Sequence, residues 1–185
     1  MISRNRSFPW AAVLSAIIGL YLLGTIPAVA GGPTPAKHAV NADRQLHLSP
    51  SDRCPVCAMF PARQPASAAA MTLKTGETFY FCSNGCLLRA FLRPQAYLNV
   101  HPGKIEGLTV LDYFSGQPTD ARTATWVAGS DVIGPMGPAI IALADAAQLA
   151  VFKRRHGGHT IFTLDQLTSD LWKRISHFDL PPAAR

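Results

Sequence analysis

An α+β fold of two similar ββαβ lobes is predicted by three observations. Two series of short segments follow one another, each running strand, strand, helix, strand. The segments are separated by residues that favour turns. The helix of each series is bounded by start and stop residues. At 185 residues, 48% of them hydrophobic, the chain is long enough for one medium domain or two small lobes sharing a core.

The first series opens with Ala69–Leu73, a short apolar strand. Lys74-Thr75-Gly76-Glu77 is a turn, and Thr78–Cys82 is an aromatic, β-prone strand. Ser83 or Asn84 caps a helix over Gly85–Leu92, and Pro94 marks its stop. Thr109–Phe114 is the closing strand. The second series repeats the order with strands at Thr125–Ala128 and Ala139–Leu143. Asp145 starts a helix with Ala146, Leu149, Ala150 and Phe152 on one face. Lys153, Arg154 and Arg155 suit the negative end of its dipole, and Gly157-Gly158 ends it. Thr160–Thr163 is the last strand. Thr163 and Gln166 form a capping box for a final helix reaching about His177.

The N-terminus reads differently. Arg4 and Arg6 precede an apolar run from Trp10 to Ile26, and Ala28-Val29-Ala30 has the small-x-small form that signal peptidase accepts. Residues 1–30 are expected to be a signal peptide, or an anchor holding the chain to the inner membrane through residues 8–29. Residues 31–50 read as a flexible tether. The cysteine-bearing lobe is placed at 51–103 and the second lobe at 104–180. In either case residues 31–185 face outside the cytoplasm, so a periplasmic location is expected.

Composition narrows the function. Lys+Arg number 17 against 11 Asp+Glu, a mild excess without a basic patch interleaved with aromatics. Nucleic acid is therefore not an expected partner. No nucleophile elbow, phosphate loop or acid/base pair is present, so an enzyme is not expected.

The chemistry centres on four cysteines in two pairs, Cys54-Pro55-Val56-Cys57 and Cys82-Ser83-Asn84-Gly85-Cys86. Two close pairs joined by a hairpin are how small proteins place four sulfurs around one ion. The second pair straddles a strand end and a helix start, where backbone N–H groups favour the thiolate. Thiolates select soft or borderline ions, Cu(I) and Zn(II) among them. Met59 adds a thioether, which is useful mainly to Cu(I). Three other readings stay open at this point: structural disulfides, a redox dithiol at Cys54 and Cys57, and a structural zinc site.

Two resemblances rest on these residues. Cys54-Pro55-Val56-Cys57-Ala58-Met59, with Thr78-Phe79-Tyr80-Phe81-Cys82-Ser83, Cys86, Phe91 and Pro94-Gln95-Ala96-Tyr97-Leu98, resembles the YHS/TRASH metal-binding module, except that Ala58 stands where that module has glycine. The segment Trp126-Val127-Ala128-Gly129-Ser130-Asp131-Val132-Ile133-Gly134-Pro135-Met136-Gly137 resembles the NosL family, as do the C-P-V-C-x-M-F opening and His156-Gly157-Gly158. The resemblances imply a treble-clef-like metal site in the first lobe and a periplasmic Cu(I) carrier. The partner implied is nitrous oxide reductase or its copper-assembly machinery. Many members of that family carry a lipid-accepting cysteine, absent here, and many lack the pair Cys82 and Cys86.

Met136 lies in a Gly/Pro-rich loop, an unusual place for a core side chain, and suits Cu(I) capture or transfer. His156 and His159 flank a double glycine and carry imidazoles able to bind copper or zinc. The expected metal ligands are thus Cys54, Cys57, Met59, Cys82 and Cys86, with Met136, His156 and His159 as candidates for a separate transfer site. Copper(I) is the expected ion and zinc the alternative. The competing functions are a thiol–disulfide oxidoreductase or redox sensor using Cys54 and Cys57, and an interaction module built on structural zinc.

Overall fold

The computed structural model describes residues 33–36 and 38–183. The expected export segment, residues 1–30, lies outside the described residues. Among the described residues no helix is long and apolar enough to cross a membrane.

Two antiparallel sheets carry the fold. The first contains β1 (Ala69–Leu73), β2 (Thr78–Phe81), β3 (Ile105–Leu111) and β4 (Pro118–Asp120), in the order β2-β1-β3-β4. Gly76, at φ +88°, makes the turn between β1 and β2, and Thr72 pairs with Thr78 across the hairpin. The second sheet contains β5 (Thr125–Ser130), β8 (Ile141–Leu143) and β9 (Gly157–Phe162), in the order β8-β5-β9. Between β5 and β8 a small ribbon pairs β6 (Ile133–Gly134) with β7 (Gly137–Pro138). The helices are α1 (Asn84–Leu92), α2 (Pro94–Leu98), α3 (Leu149–His156) and α4 (Ser169–Ile175). The fold is thus mixed α+β with antiparallel sheets. The first sheet runs past Gly103, to Asp120.

Several boundaries differ from the sequence expectation for identifiable reasons. Pro94 does not simply stop α1; it opens α2 at a position where its missing N–H costs nothing. The third strand begins at Ile105, paired with Leu73, and ends at Leu111. Asp112 ends it: one carboxylate oxygen accepts from the N–H and hydroxyl of Ser115, the other from the N–H of Ala144. Burial pushes the Asp112 pKa up, but these bonds favour the carboxylate more and hold it below its ordinary value. Asp145 caps a single 3-10 turn before α3 starts at Leu149. The Thr163–Gln166 capping box is present, but it caps another 3-10 turn, and Thr168 caps the final helix. Residues 38–50, expected as a free tether, are held to the first sheet. The Tyr80 hydroxyl donates to the His38 carbonyl and accepts from the His47 N–H, and Arg44 pairs with Asp120 at 3.1 Å.

One core joins the two sheets. Along β5, Trp126 and Ala128 face it while Val127 points the other way, into a smaller cluster with Ile141, Leu143 and Phe152 beneath α3. This is the period-2 alternation of a strand buried on both faces. Trp126 stacks on Phe162 at 6.1 Å between ring centroids. Met71, Phe81, Leu87, Leu108 and Trp172 fill the same core, and so do Cys54, Cys82 and Cys86. Each large side chain buried there contributes roughly 1.5–3 kcal/mol. The cysteines are therefore fixed by the same packing that holds the fold together.

Candidate metal centre

Two local structures converge on one point. The first is the loop 54–59, closed by hydrogen bonds from the Cys54 N–H to the Met59 carbonyl and from the Ala58 N–H to the Cys54 carbonyl, each 2.8 Å. Ala58 completes this loop at φ +61°. That region costs an alanine roughly 1–2 kcal/mol and a glycine almost nothing. Ala58→Gly is therefore expected to stabilise the metal-free protein by about 1 kcal/mol, less whatever the freer unfolded chain gives back. Urea unfolding checks it; a fall in the midpoint would refute it.

The second local structure is the end of β2 with the first turn of α1. Ser83 caps α1, its hydroxyl accepting from the Cys86 N–H at 3.3 Å. The Ser67 hydroxyl donates to the Cys82 carbonyl at 2.8 Å and pins the bend after β2. The hairpin β1–β2 thus presents Cys82 and Cys86 to the loop.

The sulfurs of Cys54, Cys57, Cys82 and Cys86 all lie within 4.8 Å of one another. Cys57 and Cys82 are 3.2 Å apart, Cys57 and Cys86 3.8 Å, and Cys82 and Cys86 3.9 Å. Four thiolates at ~2.3 Å from a tetrahedral ion stand about 3.8 Å from each other. The set is already close to that size. All four are free thiols, three of them buried and Cys57 half-buried. The donor set fits a soft or borderline cation. No helix begins at Cys54, as it does in a C-x-x-C redox dithiol. A sulfur contact of 3.2 Å joins Cys57 to Cys82, across the two cysteine pairs.

The sulfurs set one another's protonation. Bonds from Cys57, Cys82 and Cys86 stabilise a thiolate at Cys54 and lower its pKa far below the usual thiol range. Cys57 also shifts down: Cys54 raises it, but Cys82, Cys86 and the backbone at Met59 outweigh that. Cys82 and Cys86 shift up, chiefly because their protons are held by Cys54 and Cys57. The lowering expected for Cys82 and Cys86 from the start of α1 is thus reversed by neighbouring sulfur. A cation must displace the protons of Cys82 and Cys86. Metal affinity is therefore expected to rise with pH across the neutral range, by about tenfold per unit for each proton released. Titrations at three pH values with a competing chelator check this; a flat profile would refute it.

The other candidate ligands differ in placement. Met59 is half-buried against the shared core, and its carbonyl closes the cysteine loop. His156 ends α3 with both ring nitrogens engaged, Nδ1 with Asp131 and Nε2 with the Tyr113 hydroxyl, each at 3.0 Å. His159 lies exposed on β9, its Nδ1 on the Thr160 hydroxyl at 3.0 Å. Its ring covers Gly129 so closely that a Cβ there would fall inside the imidazole, which explains glycine at φ +75° in the Gly129-Ser130-Asp131 stretch. Neither histidine joins the cysteine cluster.

Met136 is better placed. It sits in the turn between β6 and β7, half-buried against the shared core. The Asn84 side-chain amide donates to the Ile140 carbonyl at 2.9 Å and ties this ribbon to the start of α1. Met136 and Cys86 line one cavity of about 530 Å³. The histidine that shares it is His177, whose ring lies over Gly137, 3.6 Å from where a Cβ would stand. Sequence reasoning passed over His177, since it is far from Met136 in the chain. It is brought there by the turn after α4, which the Trp172 indole fixes by donating to the Phe178 carbonyl.

The fold and its metal-sized sulfur cluster can be set beside known proteins. No curated protein matches the chain in sequence. A solved structure of the copper chaperone NosL from Shewanella denitrificans matches it in fold, with a TM-score of 0.58 and 22% identity over 70% of this chain and 99% of that one. The model of the NosL family matches residues 45–172, which include all four cysteines, Met136 and both histidines of the double-glycine stretch. The chain belongs to the NosL family.

Proposed function

We propose that this chain is a periplasmic metallochaperone that binds Cu(I) and delivers it to an exported cuproenzyme, nitrous oxide reductase or its copper-assembly machinery. The observation that carries the reading is four sulfurs within 4.8 Å of one another, one of which lines the cavity shared by Met136 and His177. The family and the copper chaperone of like fold support copper as the cargo. Residues 1–30 would export the chain, and residues 8–29, if retained, would hold it at the inner membrane. Two related ββαβ lobes would divide the work: a treble-clef-like site in the first receives the ion, and Met136 on the second passes it on.

Transfer is ligand exchange, without redox chemistry. An incoming donor from the acceptor replaces one thiolate at a time, and each released sulfur regains a proton. Cys86 is the sulfur that the acceptor's donor meets, because it is the one of the four that lines the cavity, while the half-buried Cys57 is the most accessible of the set to an arriving ion. Thioether and imidazole at Met136 and His177 offer weaker intermediate ligation on the way out. Anaerobic Cu(I) titration against a chelator tests the reading. Tight binding that is lost in a Cys57→Ser, Cys86→Ser variant supports it; equal affinity in that variant overturns it.

Burial of Cys54, Cys82 and Cys86 at 1%, 0% and 2% exposure favours a second reading, a resident zinc at the cysteines with copper passing through Met136 and His177 alone. Protein purified without added metal would then contain about one zinc per chain. It would still bind copper after the cysteines are replaced.

A further inference from the structure

The lining of the cavity beside Cys86 has a charge and an apolar rim that the transfer reading leaves unused. Two guanidinium groups line it, those of Arg63 and Arg89, and no aspartate or glutamate does. Neither arginine has a carboxylate partner among the described residues. Arg89 makes one long bond to the Asp179 carbonyl, at 3.4 Å, and its Nε is buried without any partner. The Arg89 guanidinium lies 5.3 Å from the Tyr97 ring centroid and 5.2 Å from that of Phe178, so aromatic rings and no carboxylate neighbour its charge. At the rim stands Ile133, 70% exposed, the most exposed large hydrophobic side chain among the described residues. The ribbon that bears it also bears Met136.

We infer that this cavity receives an acidic segment of the protein that accepts the metal. That segment carries aspartate or glutamate beside a methionine or histidine, with an apolar residue to cover Ile133. The inference rests on the metal-transfer reading above. Carboxylates pair with Arg63 and Arg89, the soft donor meets Met136 and His177, and the apolar residue buries Ile133. Residues 31–185 carry 15 Lys+Arg against 11 Asp+Glu, so the overall field steers an acidic partner in the same sense.

Two synthetic peptides of equal length test this, each with the same methionine and histidine, one flanked by glutamates and one by lysines. The Cu(I)-loaded full chain is mixed with each, and metal loss is followed by stopped flow. The glutamate peptide is expected to remove Cu(I) at least about tenfold faster at low salt, a difference that shrinks at high salt. Arg63→Glu, at the exposed end of the 3-10 turn Pro61–Arg63, is expected to erase most of the difference, and Arg89→Gln part of it. Ile133→Asp is expected to slow both peptides. Cu(I) affinity of the Arg63→Glu protein should equal that of the unaltered chain. If the unaltered chain binds Cu(I) but both peptides remove it at the same rate, or if Arg63→Glu leaves the difference intact, the docking proposal is overturned. If the unaltered chain fails to bind Cu(I), the transfer reading fails instead.

Discussion

Replacing Cys82 with serine is expected to lower Cu(I) affinity at least about 100-fold and to destabilise the metal-free fold as well. A four-ligand structural Zn(II) site in a zinc-finger peptide is worth roughly 10–16 kcal/mol, so on that scale an equal share per ligand is about 2.5–4 kcal/mol. Serine offers a hard, protonated oxygen that a soft ion does not replace sulfur with. Cys82 also lies 3.2 Å from Cys57 and is 0% exposed. The buried hydroxyl adds about 1–3 kcal/mol of destabilisation to the metal-free fold, since it is more polar than the thiol it replaces. Cys57→Ser separates the two effects. Its side chain is half-buried, so affinity should fall by a similar factor with little loss of stability. Chelator competition measures the first quantity and urea unfolding of the metal-free proteins the second. If Cys82→Ser retains affinity within a few-fold, this residue is not a ligand.

Much of the first half of the chain was legible because its signals are local. The β1–β2 hairpin announces itself in Lys74-Thr75-Gly76-Glu77 between two β-prone runs, and Ser83 is the cap that the structure shows. The two cysteine pairs flank that hairpin, so bringing them together requires only that the hairpin forms. Long-range placement was not legible. Nothing local says that Asp112 will end β3 by bonding Ala144, or that residues 38–50 will lie against Tyr80 and Asp120. The ribbon β6–β7 was missed because each strand is two residues long, too short for a period to show.

The histidines show the same limit. His156 sits beside a suggestive double glycine, yet Asp131 and Tyr113 occupy both of its nitrogens. It cross-links the end of α3 to the loops after β5 and β3. His177 has no motif around it and nonetheless shares a cavity with Met136 and Cys86. A motif reports which side chains are near in sequence; a ligand must be near in space with a free lone pair.

Substitution of both Met136 and His177, as Met136→Leu with His177→Ala, is therefore expected to slow Cu(I) delivery to an acceptor by about 100-fold. Each soft donor that bridges the exchange is assigned about 1.4 kcal/mol of the barrier, a factor of ten. Equilibrium affinity at the cysteines should stay within a few-fold, because four sulfurs already lie within 4.8 Å of one another without either residue. Leucine keeps the packing of Met136 against the shared core, so the fold is retained. The comparison that decides the matter is His156→Gln. That change weakens the link among Asp131, Tyr113 and α3 and costs stability, but His156 does not itself line the cavity, and Tyr113, which does, keeps its edge contacts with Phe114 and Phe152. Transfer should then proceed at the unaltered rate. Stopped-flow transfer to a chelating acceptor, read beside chelator titrations of the same three proteins, gives both quantities. A double variant that delivers copper as fast as the unaltered chain would remove Met136 and His177 from the route. The same would follow if His156→Gln slowed delivery to the same extent, because the effect would then track stability instead of ligation.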